Sequence, residues 1–240
     1  IRRQRQMCIR DRRGTGAKTK AIFENCNIKN ASIISNTDGY KVDLKRAPRV
    51  EYQESMFTDT IDVSMIVINS SNRVRGKNFM EGLPLVGTED FFLAIEDANG
   101  NVIETELVVN KVTPLETTTQ RETLMLELTS EQFIRNEERS AAIIKRYDGK
   151  ISEHIRKILT DNLATEKELF IDETSNNYNF IGNVRKPLYI INWLAKKSIP
   201  ASDGKKGKTA GFMFYQTSDG FHYKSIDSIF ASIIFSFIAF

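Results

Sequence analysis

Between Lys20 and Leu128 apolar residues recur at every second position, and that period admits one kind of local structure, a strand with one covered face. Ile61, Val63, Met65 and Val67 alternate with Asp62, Ser64, Ile66 and Ile68, which predicts a long strand covered fully on one side and partly on the other. Phe91, Leu93 and Ile95 share a face in the next run. Asp97-Ala-Asn-Gly100 then offers a hairpin turn, because Asn-Gly tolerates positive φ, and Ile103, Leu107 and Val109 point inward on the return from Val102 to Val109. Leu124, Leu126 and Leu128 mark a further strand. An earlier pair flanks Thr37-Asp-Gly39, with Ile33 and Ile34 before it and Tyr40, Val42 and Leu44 after it. Five or six antiparallel strands are expected, with a short helix inside Asn72 to Leu83 ahead of the turn Gly82-Leu-Pro84. A sheet of that size removes its edges by closing into a barrel or packing as a sandwich.

After Thr129 the period lengthens. Ser130-Glu-Gln-Phe133 can start a brief helix, and Ile151, Ile155, Ile158, Leu159 and Leu163 form one helical stripe from Lys150 to Leu163. Pro187, a favoured first-turn residue, opens another helix with Leu188, Ile191, Leu194 and Ala195 on one side and Trp193 beside them. Gly211 to Tyr215 and Phe221 to Lys224 read as the arms of an aromatic hairpin whose register is set by an Asp219-Gly220 turn. Ser225 can cap a helix starting with Ile226 and Ile229. The fold class expected is α+β, mainly β.

The ends need separate treatment. Arg2 to Arg12 reads without a gap as the translation of a transposase adapter used in shotgun sequencing, so residues 1–13 are expected to be adapter-derived and disordered, and are excluded from fold reasoning. Residues 2–12 carry five Arg and one Asp, so without them the formal charge falls from +3 to −1. A basic footprint for specific nucleic-acid binding disappears with them. Cys8 lies in the same segment, which leaves Cys26 alone and makes an intrachain disulfide impossible. At the other end, Ile229 to Phe240 is apolar and free of charge, yet twelve residues fall short of the roughly 18 to 20 that cross a bilayer. It is expected to begin a buried helix at a contig end, with no membrane anchor.

Catalytic signatures are missing from the residue pattern. Gly204-Lys-Lys-Gly-Lys-Thr209 imitates the end of a phosphate-binding loop, but the first Gly of that motif would fall at Ser202. The segment is better read as a solvated lysine loop. Arg13 to Lys20 reads as a glycine-rich basic lead-in. His154 and His222 have no paired metal-ligand spacing, and the acidic pairs Glu89-Asp90, Glu137-Glu138 and Asp172-Glu173 belong to no recognisable acid/base set. No catalytic, cofactor or metal residue is expected, and no cofactor.

Three segments carry a resemblance. Pro48-Arg-Val-Glu-Tyr-Gln-Glu-Ser-Met-Phe-Thr-Asp-Thr-Ile61 runs as an exposed acidic-aromatic stretch into the long strand. Glu81-Gly-Leu-Pro-Leu-Val-Gly-Thr-Glu89 leads into the next. Tyr189 to Ser198 followed by Ala210 to Ile226 gives a helix and then a hairpin. In this order they resemble the central baseplate hub of contractile-tailed bacteriophages, related to the N-terminal region of type VI secretion spike proteins. The resemblance covers about residues 20 to 230. It implies a tail-tube-like β-barrel at 14–128, a mixed α+β middle domain at 129–224 and the start of a further domain at 225–240, with a second barrel missing through truncation. It also implies a homotrimer in the intact protein, a non-enzymatic role joining a hexameric tail tube to a trimeric membrane-piercing spike, and a place in the virion baseplate after assembly in the host cytoplasm. Another tail structural or receptor-binding protein, or a tail-associated wall hydrolase, are the competing readings.

Overall fold

The computed structural model describes residues 8–10, 22–24, 27–44, 46–70, 74–96, 100–118, 121–201 and 211–231. They divide into two compact units. The first takes in residues 27–53 and 61–131 with the strand pair at 8–10 and 22–24, and the second takes in 54–60 and 132–231. The first holds β1 (Cys8–Arg10), β2 (Ile22–Glu24), β3 (Asn27–Ile34), β4 (Lys41–Asp43), β5 (Arg49–Gln53), β6 (Asp62–Ser70), α1 (Phe79–Gly82), β7 (Asp90–Glu96), β8 (Val102–Thr117) and β9 (Arg121–Thr129). Cys8–Arg10, inside the leader expected to be disordered, pairs antiparallel with Ile22–Glu24.

The principal sheet has seven strands in the order β4-β3-β7-β8-β9-β6-β5, every pair antiparallel. The period-two faces fall as expected: Val63, Met65 and Val67, Phe91, Leu93 and Ile95, Ile103, Leu107 and Val109, and Leu124, Leu126 and Leu128 are all buried in one core, while Ser64, Ile66 and Ile68 are half-buried. One strand more than expected arises from Arg49–Gln53. Its Val50 and Tyr52 are fully buried, so the stretch expected to be an exposed lead-in to the long strand is part of the sheet. Since every strand from β3 to β9 gives one face to the same cluster, the sheet curls around its core. It is not a closed barrel: β4 and β5 end the strand order and share no ladder. Leu44 and Ala47, in the connection from β4 to β5, are buried in the same core.

Strand β8 runs eight residues beyond Val109, and two register shifts explain why alternation did not show it. The ladder with β9 slips between Val109 and Lys111 and again between Pro114 and Glu116. Each bulge flips the phase of inward and outward side chains. The turn at 97–99 lies outside the described residues.

The second unit holds α2 (Glu131–Glu137, shared at its first residue with the first unit), β10 (Arg146–Tyr147), α3 (Ile151–Lys157), β11 (Glu168–Ile171), β12 (Phe180–Ile181), α4 (Pro187–Ala195), β13 (Phe212–Thr217) and β14 (Gly220–Ser225). Ile151, Ile155, Ile158, Leu159 and Leu163 form the predicted stripe, all fully buried. The helix widens into a π turn over Ile158–Asn162, where Asn162 donates to the Ala141 carbonyl at 2.9 Å. Leu188, Ile191, Leu194 and Ala195 of α4 are buried, and so is Ile190.

The aromatic hairpin forms as β13 and β14, but the two turn residues are Ser218 and Asp219, with Gly220 already paired to Thr217. Gly220 has a different task. β11 joins β14 in parallel, and a Cβ on Gly220, whose φ is +148°, would stand 2.2 Å from the Glu168 carbonyl oxygen. Glycine is required for that approach. Ser225 caps the helical residues 226–231 as expected, accepting the Ser228 N–H at 3.1 Å.

Candidate assembly surface

Apart from Asp90, which is exposed, the residues of the acidic pairs are taken up in structure. Glu89 is fully buried and accepts the Gly87 N–H at 2.9 Å and that of Val86. Asp172 accepts from Lys224 Nζ and the Ser225 N–H, both at 2.9 Å. Glu137 pairs with Lys186, Glu138 takes the Ser140 hydroxyl at 3.0 Å, and Glu173 takes that of Ser152 at 3.1 Å. Glu89 departs from the solvated state ordinary for a carboxylate because its loop needs an acceptor for its turned N–H groups. Among the described residues no cluster of three His, Cys, Asp or Glu could hold a metal ion.

Both histidines are packed as structural rings. His154 is buried edge-on to Tyr147 and Phe180, and its Nε2 lies 3.0 Å from the Tyr178 carbonyl. Burial, the largest influence, pushes its pKa below the usual imidazole value, with the Tyr178 bond opposing. The neutral ring therefore donates from Nε2. His222 is stacked between Phe170 and Tyr215, and its Nε2 meets the Thr217 hydroxyl at 2.8 Å. The phosphate-loop imitation and the Arg13 to Lys20 lead-in lie outside the described residues.

What the surface offers is contact area. In the second unit residues 54–60 form a loop tied at both ends: Glu54 accepts the Ser218 N–H at 2.6 Å, and Asp59 accepts Asn192 Nδ2 at 2.8 and 2.9 Å. Burial raises the Asp59 pKa, and the Asn192 bond opposes it. Between those anchors Phe57 is 85% exposed. An aromatic ring held out on a fixed loop has the character of an interface anchor. Ile144, Ile181 and Val184, in the ladder joining residues 143–147 to 180–185, and Tyr189 of α4 are further exposed apolar side chains. On the first unit Glu51, Asp62 and Glu127 line a shallow hollow along β5, β6 and β9, where Glu51 is paired with Arg49 and Glu127 with Lys111 at 3.4 Å. Asp62 has its pKa raised by burial.

None of these surface residues was singled out for contact by the sequence pattern. Phe57 sits in a stretch marked only by its acidic and aromatic composition, and Gly182-Asn183 signals a turn without saying that Val184 projects from it.

No protein-family model matches the chain, and no curated protein does. Its fold is similar to that of a 43 kDa tail protein of prophage MuSo2 from Shewanella oneidensis, with a TM-score of 0.53 at 10% identity over 82% of this chain and 54% of that one. A tail protein from Neisseria meningitidis gives 0.49 at 8% identity, over 81% and 49%. An Escherichia coli component of the type VI secretion system, described as structurally similar to the T4 bacteriophage tail proteins gp27 and gp5, gives 0.43 at 10% identity, over 86% and 48%. The chain spans about half the length of these structures. Its structural neighbours are thus tail proteins and a secretion component, and the likeness is one of fold.

Proposed function

We propose that the chain is a virion structural protein, the baseplate hub adaptor that joins a hexameric tail tube to a trimeric membrane-piercing spike. The supporting observation is the succession, in one chain, of a curled antiparallel sheet and an α+β unit ending in an aromatic hairpin, the order that the hub resemblance implies, in a fold similar to a phage tail protein. On this reading the intact protein adds a second barrel and is a homotrimer, so that six barrels meet the tube while three chains meet the spike.

The work is mechanical. Load passes through large, permanent interfaces of the kind found in obligate assemblies, and what the chain must supply is rigid surface. Glu89, Asp172 and Asp59 serve that end, each bracing a loop or a helix end by accepting a hydrogen bond there. The protein belongs in the tail baseplate, assembled in the host cytoplasm beside tube, spike and other baseplate subunits. Reading the source DNA on both sides of the gene tests this. A reading frame that continues into a second strand-rich segment, beside tail-tube and spike genes, is expected. A neighbourhood without tail genes would overturn the hub assignment.

A further inference from the structure

The ladder joining residues 143–147 to 180–185 has one face in the core and one turned outward. Tyr147 and Phe180, a cross-strand pair, are buried with their rings stacked at 5.1 Å, while the neighbouring pair, Arg146 and Ile181, is exposed. Beyond it the ladder bulges. Ile143 bridges Arg185, so Gly182, Asn183 and Val184 stand opposite only Ile144 and Lys145. Gly182 donates to the Lys145 carbonyl at 3.2 Å and Val184 to that of Ile143 at 2.9 Å. The turn requires left-handed backbone at Asn183 and Val184, with φ of +49° and +56°. Asparagine adopts that conformation readily, whereas a β-branched residue is strained in it.

The strained valine is 63% exposed and adds little to the core. Strain kept at an exposed apolar side chain points to a task outside the fold, and bulges often serve to re-aim a side chain. Ile144 adjoins the Ile143–Arg185 bridge on one strand as Val184 does on the other, and is 67% exposed, with Ile181 at 57%. Around these aliphatic side chains the charge is positive. Arg146 is paired with Asp148 and Lys186 with Glu137, but Lys145, Lys150 and Arg185 have no carboxylate partner among the described residues. Arg185 lies over the Tyr189 ring at 5.6 Å, and Tyr189 is more than half exposed.

Residues 144–146 and 183–186 are exposed without a break, so this end of the ribbon projects. A projection of aliphatic side chains and a tyrosine, flanked by cations that nothing neutralises, suits a surface that is apolar within, anionic outside and able to yield around it. A bilayer of anionic phospholipid has all three properties. Aliphatic side chains enter its acyl region, tyrosine sits at the headgroup level, and lysine and arginine meet the phosphates. A folded protein partner would need instead a cavity of fixed, matching shape.

We propose that the second unit binds the surface of an anionic phospholipid bilayer, inserting Ile144, Ile181 and Val184 while Lys145 and Arg185 meet phosphate groups. The inference rests on this ribbon and is independent of the hub assignment.

The test mixes the full 240-residue chain with phosphatidylglycerol vesicles in low salt. The five arginines of residues 2–12 and the apolar run 229–240 are other routes to the same vesicles, so the reading is taken at the ribbon. Brominated acyl chains should quench the added fluorescence of Ile181→Trp and leave that of Val86→Trp, exposed on the first unit, unchanged. In the Ile181→Trp background, Lys145→Glu should raise the lipid concentration needed for quenching about tenfold, and Val184→Asn about fivefold. The melting temperature of Val184→Asn should not fall, because asparagine accepts the left-handed backbone, so its weaker binding is no folding defect. Absence of quenching in Ile181→Trp, equal quenching by brominated phosphatidylcholine, or quenching indifferent to both Lys145→Glu and Val184→Asn each overturns the proposal. So does an Ile181→Trp signal that ignores lipid and responds to a DNA duplex, which would assign the cations to a nucleic acid. Every one of these results leaves the hub assignment to its own genomic test.

Discussion

The two units reach a buried core by different routes. In the first, seven strands each supply alternate side chains to one cluster, and long antiparallel ladders such as the nine-pair run between β6 and β9 fix the register. In the second, elements of two to nine residues are too short to hold by ladders alone, and single atoms fix their places. Asn136 Oδ1 accepts the Leu188 N–H at the start of α4 at 2.9 Å, and Thr174 Oγ1 accepts that of Ser152 at the start of α3 at 3.0 Å. The Ser198 hydroxyl joins the Tyr223 hydroxyl at 2.6 Å. A ladder spreads stability over many equivalent pairs, whereas a pinned assembly concentrates it at points. The two units should therefore fail differently.

The sole tryptophan, Trp193, lies in the second unit, so its fluorescence follows that unit while far-UV circular dichroism follows both. The largest effect is expected from Leu126→Ala in the centre of the first core, at about 2–5 kcal/mol. In urea the dichroism transition should move down and the Trp193 transition stay in place. If both move together, the units unfold as one and the contrast fails.

Gly220→Ala is next, at roughly 2–3 kcal/mol, because the new Cβ meets the Glu168 carbonyl at a backbone angle that disfavours any side chain. Here the fluorescence transition should fall and the first unit's should not. Asn136→Ala, which leaves the buried Leu188 N–H unpaired, should cost about 1–2 kcal/mol, again in the fluorescence transition alone. An unchanged midpoint would show that α4 is held by packing alone.

The smallest effect concerns pH. His154 has a folded pKa below its ordinary 6.5, so as pH falls through 6.5 the unfolded chain takes up a proton before the folded one does. Stability is complete above that value and is lost progressively below it. The Trp193 midpoint should decline on acidification, and His154→Gln should flatten the decline. A decline of the same steepness in that variant would assign the loss to other groups.

Helix starts show where sequence reading stops. Ser225 caps the next residues locally, and its place ahead of Ile226 and Ile229 made that visible. The starts of α1, α3 and α4 have Asn78, Lys150 and Lys186 at the capping position, none with a side-chain cap. Their N–H groups are instead met by Glu122, Thr174 and Asn136, which lie 43, 22 and 52 residues away in the chain. The helices could be found from apolar spacing, but the side chains that finish them could not. The contact surface behaves likewise: Val184 and Ile144 share no periodic pattern, and they become neighbours only when the ladder between residues 143–147 and 180–185 forms.

The sequence by itself determined the longer, regularly periodic strands and helices and which of their faces turn inward, because periods of 2 and 3.6 act over a few neighbouring residues and solvent exclusion of apolar side chains acts on each of them. Tertiary structure decided the rest. It left the curled sheet unclosed between β4 and β5 and put Arg49–Gln53 into it. It brought β11 against Gly220 and aimed buried Glu54 and Glu122 at N–H groups far along the chain. Each of these depends on which backbone donors and acceptors remain unpaired once the chain has folded back on itself, and that pairing is settled between segments tens of residues apart.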